Sequence, residues 1–389
     1  MSSPQPLNVL VIGANGYLGS AICNAFLRTS ATPPPHFFRV YGLVRREATA
    51  RALAQSEIIP IVGSLSGQPS SRGDALQTKI QSSHSKTWHV IVTCTEPSRA
   101  DEAKHWDDLL ALIQELARVS TSRGVKPLVL ASSGCKDYGM TGLHGDKDLT
   151  PHTETTPLKT HPIIRGRMDA ALRALDVAAA AAGQFDAAVV RATPVFGYSG
   201  SYYGAAFEYA AAFAASSPAG GENNNGPTLD FTTDEGTIMH GLHIDDCADG
   251  YVALATTYLW GRGEEDKRAI AGEVFNISGR RYETLQEVGT ALAREYGFGG
   301  GARFGVAAGD LPSSVSGQNC DLVFGWSQWV SSDKIRRVTG WSDRRPLFSD
   351  NIGVYRIAFE AAAKAGVDDV EKARRRMAGN WGDDYLIAS

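Results

Sequence analysis

The chain opens on a run of β-branched and apolar residues, Asn8-Val-Leu-Val-Ile12, that suits a strand buried on both faces. It leads directly into Gly13-Ala-Asn-Gly16-Tyr-Leu-Gly19. Leu18, Ile22, Ala25 and Phe26 then recur at helical spacing, so the pattern predicts strand, glycine turn and helix in succession. Further strand-like runs stand at residues 40–44, 58–62, 90–92, 128–130 and 187–190. Between the last of these, Trp106, Leu109, Leu110, Ile113, Leu116 and Ala117 share one helical face, and residues 170–182 are rich in strong helix formers. Strands alternating with helices predict a parallel sheet covered on both sides, an α/β doubly wound fold over residues 1–195.

Beyond residue 195 the alternation becomes irregular. Helices are predicted over 203–215, 245–257, 283–296, 332–338 and 350–365, and a strand over 274–277. This half reads as a smaller, mixed cap over 196–389 that binds substrate, with segments around 240–280 returning to the first domain. Residues 29–36, 66–86 and 216–227 read as loops or insertions from their proline, serine, glycine and asparagine content.

Composition narrows the class. Apolar residues make up 43% and charged residues 21% of the 389, as in an ordinary globular chain, which excludes wholesale disorder, collagen and a disulfide-stapled scaffold. With 42 acidic against 38 basic residues, the formal charge of −4 argues against a nucleic-acid partner. The five cysteines (Cys23, Cys94, Cys135, Cys247 and Cys320) show no metal-ligand spacing. They fit free thiols in a reducing compartment, and no metal is expected. No run reaches the ~18 apolar residues of a membrane span, and no basic-then-apolar leader opens the chain, so the expected address is cytoplasmic.

The glycine turn carries the first chemistry. Gly13 turns the chain out of the strand, Gly16 lets backbone amides approach a pyrophosphate, and Gly19 lets the helix pack against the sheet. The helix start then offers free N–H groups to the anion, with Asn15, Tyr17 and Leu18 in the same turn. This is a Rossmann-type dinucleotide site. After the second strand, where an acidic residue would hold a ribose 2′-OH, the chain has Arg45-Arg46. Two guanidinium groups suit a 2′-phosphate, so NADP(H) is the expected cofactor.

The order of motifs resembles the extended or atypical branch of the short-chain dehydrogenase/reductase superfamily, the NAD-dependent epimerase/dehydratase type. The resemblance rests on the glycine spacing, Ser132-Ser133 followed by Tyr138-Gly139, Glu154-Thr-Thr-Pro157, Arg191-Ala-Thr-Pro-Val-Phe-Gly197 and His243-Ile-Asp-Asp246. Val274-Phe-Asn-Ile277, Thr339-Gly-Trp341 and Arg345-Pro346 extend it nearly to the end. It implies further cofactor contacts from Ser64 and Leu65, from Thr93, Cys94 and Thr95, from Ser132, and from Pro194 and Val195. It also implies a structural role for His243 and Asp245, capping a helix.

One departure stands out. The superfamily's Tyr-x-x-x-Lys pair should fall in the window that reads His161-Pro-Ile-Ile-Arg165-Gly-Arg167, which holds neither tyrosine nor lysine. One register gives Ile163 and Arg167, the other His161 and Arg165. Arginine can replace lysine as a fixed charge; histidine can move a proton and isoleucine cannot. Lys136 and Tyr138 offer a relocated pair, similar to the lysine after the fifth strand in enzymes of the progesterone 5β-reductase and iridoid synthase type.

The leading expectation is an NADP(H)-dependent oxidoreductase acting on a small carbonyl or enone. Ser133 would donate to the carbonyl oxygen, and Lys136, Tyr138 or His161 would supply the proton. Tyr198, Tyr202, Tyr203, Phe207, Met239 and His240 would line a pocket for a hydrophobic substrate. The alternatives are a related enzyme running isomerisation, cyclisation or elimination without net redox, and a non-enzymatic NADP(H) sensor. A homodimer stays open.

Overall fold

The computed structural model describes residues 5–371 apart from 32, 34, 66–75, 77–79, 81–86, 96–101, 182, 200–201, 217–225, 314, 316–323 and 369, and apart from the side chains at 163 and 202. The loops expected at 66–86 and 216–227 lie largely outside the described residues, as does Cys320. The strands are β1 Gln5–Ile12, β2 His36–Val44, β3 Ile59–Val62, β4 Val90–Thr93, β5 Leu128–Gly134, β6 Asp186–Ala192, β7 Val195–Phe196, β8 Leu229–Asp230, β9 Ile238–Met239, β10 Leu242–His243, β11 Val274–Ile277, β12 Glu283–Thr284 and β13 Ala302–Arg303. The helices are α1 Tyr17–Arg28, α2 Glu47–Gln55, α3 Glu102–Thr121, α4 Pro162–Ala180, α5 Tyr202–Ser216, α6 Ile244–Trp260, α7 Glu264–Arg268, α8 Leu285–Glu295, α9 Asp333–Thr339 and α10 Ile352–Lys364.

Seven strands form one sheet in the order β11-β6-β5-β4-β1-β2-β3, and every pairing in it is parallel. The chain winds outward in both directions from β1 and β4, so their carboxyl ends flank the crevice where ligands bind in open α/β sheets. Alternate residues of β1 serve opposite layers. Val9 and Val11 face α1 and α6 in one core, while Leu10 and Ile12 face Trp106, Leu109 and Ile113 of α3 in the other. Helix α4 begins at Pro162 rather than at residue 170. The prolyl ring pre-sets the first helical φ, and the polar stretch 165–169 continues the helix without the alanine pattern that marks the rest.

The second half adds to the α1 side of the sheet and builds a core of its own. Strand β11 pairs with β6, and Tyr251, Cys247 and Leu254 of α6 pack into the same core as α1. Tyr203, Phe207, Tyr209, Phe231, Leu292, Phe348 and Phe359 form a separate core. Two buried carboxylates strap the segment after α9 to these layers. Asp246 accepts the backbone N–H groups of Arg344 (3.1 Å) and Arg345 (2.9 Å), and Glu283 accepts those of Phe348 (3.1 Å) and Ser349 (2.8 Å).

Among the described residues no helix is long and apolar enough to cross a membrane. Likewise, no group of three or more histidine, cysteine or acidic side chains could hold a metal ion. Cys23, Cys94, Cys135 and Cys247 are free thiols.

Candidate functional site

The glycine turn has a different reason for each glycine. Gly13 has φ +95°, which favours glycine, and a Cβ there would stand 2.6 Å from the Cys94 carbonyl oxygen. At Gly19 a Cβ would fall on the Gly13 carbonyl oxygen, so this glycine lets α1 start against the end of β1. Gly16 needs neither excuse. Its backbone is extended (φ −74°, ψ 163°), and the nearest atom to a Cβ is the Gly13 oxygen at 3.3 Å. The space that Gly16 leaves adjoins the free N–H groups of the first turn of α1. A pyrophosphate fits that cradle: backbone donors converge, the helix dipole favours the anion, and no side chain intervenes.

The neighbouring strands supply the walls. Asn15 is exposed at the tip of the turn, and Leu18 packs partly into the core. The Tyr17 hydroxyl donates to the Gly197 carbonyl (2.6 Å), tying the turn to the loop after β7. Pro194 and Val195 are fixed from the other side, because Leu242 donates to the Pro194 carbonyl and β10 pairs with β7. After β4, Thr93 is buried, the Cys94 thiol points at the Ile12 carbonyl (3.4 Å), and the Thr95 hydroxyl lies 2.8 Å from His105 Nε2. After β3, Ser64 is exposed and Leu65 packs partly into the core. Arg45 and Arg46 are exposed at the end of β2, with Arg46 3.6 Å from Asp368 in an ion pair open to solvent. Such a pair contributes little to stability and leaves the guanidinium groups available to a phosphate. At the end of β5 the Ser132 hydroxyl hydrogen-bonds the buried Tyr251 (2.8 Å).

The end of β5 holds a polar hub that the sequence did not announce. Residues Cys135–Tyr138 form a single 3-10 turn, and the Asp137 carboxylate at its centre is fully buried. It accepts the Ser133 hydroxyl at 2.5 Å and Arg191 Nε at 3.3 Å, and its other oxygen lies 3.6 Å from Arg167 Nη2. Arg191 reaches on to the Tyr138 hydroxyl (2.9 Å), which itself donates to Asn276 (2.8 Å) on β11. Gly134 leaves room for Arg167, since a Cβ at 134 would stand 2.9 Å from its guanidinium.

This geometry revises several expectations. Tyr138 is 1% exposed, with its hydroxyl held between Arg191 and Asn276 and its acidity weakened by burial to a pKa of about 12. It braces β5, β6 and β11, its hydroxyl engaged on both sides. Ser133 donates its proton to Asp137, so it is not a free donor to a carbonyl oxygen. The Lys136 ammonium lies over the Trp326 ring (4.7 Å), turned toward the second half of the chain. Of the two registers on α4, Arg167 faces the end of β5, whereas His161 and Arg165 are exposed. The helix offers no tyrosine, lysine or histidine.

The pocket expected from cap aromatics is also revised. Tyr203, Phe207 and Met239 are core residues of the cap, and the Tyr202 side chain lies outside the described residues. His240 has both ring nitrogens engaged, with the Gly279 carbonyl and the Val330 N–H, and burial pushes its pKa down to about 4. His243 accepts the Asp245 N–H (3.1 Å) at the start of α6, as a cap, with its pKa likewise about 4 through burial. Tyr198 remains exposed, its hydroxyl on Asp245 (2.7 Å). Sequence reasoning missed Asp137. A buried arginine on β6 opposite an aspartate four residues after Ser133 was the available signal.

A Rossmann sheet with a pyrophosphate cradle at its switch point and a cationic end of β5 defines a nicotinamide-dinucleotide-dependent enzyme class. The chain belongs to the NAD-dependent epimerase/dehydratase family, whose model matches residues 9–278. Among solved structures it is similar to dTDP-glucose 4,6-dehydratase of Bacillus anthracis in complex with NAD. The TM-score is 0.63 and the identity 16%, over 92% of this chain and 98% of that one. It is also similar to UDP-glucuronic acid 4-epimerase of Bacillus cereus in complex with NAD (TM-score 0.59, 16% identity, 91% and 99% covered). The UDP-Glc/GlcNAc 4-epimerase of Campylobacter jejuni gives a TM-score of 0.61 at 17% identity, over 91% and 99% of the two chains. At these identities the likeness shows the fold. No curated protein matches the chain.

Proposed function

We propose that this protein is an NADP(H)-dependent oxidoreductase that reduces a small carbonyl or enone compound. The observation that carries the reading is the position of Arg167, a permanent cation facing the end of β5 beside Asp137, on a helix without a tyrosine, lysine or histidine. When bound, the cofactor supplies a hydride. The residues then have to hold the negative charge that develops on the acceptor oxygen, and a guanidinium group does this without giving up a proton. Water provides the proton that completes the product. The reverse task, oxidising a sugar hydroxyl as a first step of epimerisation or dehydration, needs a base for the hydroxyl proton, and the only carboxylates of α4, Asp169 and Asp176, are exposed. The structurally similar enzymes act on nucleotide sugars by name, and this contrast separates the proposal from them. A hydrophobic substrate is not part of it, because the aromatic residues that suggested one pack into the cap core.

The choice of NADP(H) rests on Arg45 and Arg46, exposed at the end of β2 with no acidic residue in their place. The test is NADPH oxidation against a panel of aldehydes, ketones and enones. The expected result is turnover with NADPH preferred to NADH, a preference that Arg45→Ala/Arg46→Ala lowers roughly 10- to 100-fold, the scale of charge-assisted hydrogen bonds. Arg167→Met should cut kcat about 100-fold, as loss of an oxyanion donor does. A product formed without net cofactor turnover would replace the proposal with a non-redox reaction. Tight binding with no product at all would replace it with a cofactor sensor.

A further inference from the structure

Arg46 is the residue before α2 (Glu47–Gln55). Its backbone is extended (φ −126°, ψ 141°) and its carbonyl accepts the Ala50 N–H at 3.1 Å, so the main chain is fixed while the side chain stands 71% exposed. Facing it at 3.6 Å is the carboxylate of Asp368, from the other half of the chain. The backbone around Asp368 is held on both sides. Gly366 (φ +69°) stops α10, with its N–H on the Ala363 carbonyl and that of Val367 on the Ala362 carbonyl, 3.1 Å each. Two residues beyond Asp368, Val370 is 1% exposed in the core that Phe207, Phe348 and Phe359 share. A helix stop and a buried anchor thus bracket the carboxylate, which reaches from the cap to the end of β2. The acidic group that the sequence lacks after β2 is supplied there from about 320 positions further along the chain.

We propose that Asp368 is a specificity-determining residue of the cofactor site, a resident anion that holds Arg46 until the 2′-phosphate of NADP displaces it. This rests on the NADP reading above and deepens it. A guanidinium meets a phosphate through paired, charge-assisted hydrogen bonds, whereas an exposed carboxylate partner contributes little. The phosphate, with close to two negative charges at neutral pH, therefore wins Arg46, and the carboxylate withdraws because two anions beside one guanidinium repel. NAD carries a hydroxyl in that place, brings no charge and leaves the pair intact. Asp368 accordingly sets NADP affinity below what Arg45 and Arg46 alone would give, and does not act on NAD. Because the carboxylate is carried by the cap, NADP also undoes a cap-to-sheet contact that NAD preserves.

The experiment is calorimetric titration of the full chain with NADP and with NAD, for the wild type, Asp368→Asn, Arg46→Ala and the double variant. It is run at low ionic strength and at about 0.5 M, where exposed charges are largely screened. Asp368→Asn should bind NADP roughly three- to fivefold more tightly than the wild type at low ionic strength, the scale of an exposed ion pair, with NAD affinity unmoved. The gain should shrink in high salt. Beside Arg46→Ala it should fall below about twofold, since the cycle then lacks the group through which Asp368 acts. Thermal unfolding of each variant reports that it is folded. NADP binding in Asp368→Asn that is unchanged or weaker, a gain shared equally by NAD, or a gain that survives in full beside Arg46→Ala overturns the assignment. Equal affinity of the wild type for NAD and NADP is a different failure, since it removes the 2′-phosphate site itself and this inference with it.

Discussion

Asp137→Ala should lower the stability of the protein by about 3–5 kcal/mol, the cost of leaving a buried charge without its partner. The Arg191 side chain is 3% exposed and the Asp137 carboxylate not at all. Without the carboxylate, Arg191 keeps only the Tyr138 hydroxyl and ring, and Ser133 loses its acceptor. The carboxylate also faces Arg167, so two guanidinium groups would then oppose each other with nothing between them. Asp137→Asn keeps the shape and one acceptor oxygen, and should fall between wild type and alanine. Denaturant midpoints of the three proteins give the answer; an alanine variant within about 1 kcal/mol of wild type would mean that the hub is a neutral ornament of the fold. The mutation should also reduce any activity that depends on Arg167, because its guanidinium loses an anchor.

Gly16→Ala should leave the protein folded and weaken dinucleotide binding about 100-fold, on the order of 3 kcal/mol, as overfilling a closely fitted contact does. The backbone at Gly16 is one that alanine adopts freely, and its Cβ would need only a few tenths of an ångström of relief from the Gly13 oxygen. Gly19→Ala has the opposite character. Its Cβ meets the Gly13 backbone, which cannot yield without moving β1 or α1, so loss of folding rather than selective loss of binding is expected. Thermal unfolding separates the two variants, and cofactor titration of the folded one measures the cradle. Wild-type affinity in Gly16→Ala would show that no phosphate lies over the turn.

These two sites also mark what the sequence could convey. The β1–turn–α1 unit is local: the consecutive residues Asn8 to Phe26 carry the strand pattern, the turn chemistry and the helical face, and nothing distant decides them. The same holds for the parallel sheet, since each strand is a short apolar run. The hub at Asp137 is assembled from β5, α4 and β6, with Asn276 arriving from β11, and no spacing in the chain relates those residues. Tyr138 reads as a candidate because it stands with Lys136 just after the fifth strand; here Arg191 and Asn276 close over it. The two registers on α4 were equivalent as letters, and only the direction of Arg167 toward Gly134 distinguishes them. The aromatic residues after 195 announced a hydrophobic environment, which is present, but it is the interior of the cap.

The placement of β11 beside β6 has a consequence for synthesis. A nascent chain that has reached residue 195 carries the whole glycine turn and six strands, yet β6 still presents an unpaired rim and α1 a bare apolar flank. They wait for residues 244–277: the helix that covers α1 begins about fifty positions later and β11 about eighty. Until those emerge from the ribosome, the first half is a sticky intermediate of the kind that chaperones retain. The coenzyme clasp is among the earliest pieces made, and its scaffold is among the last to be sealed.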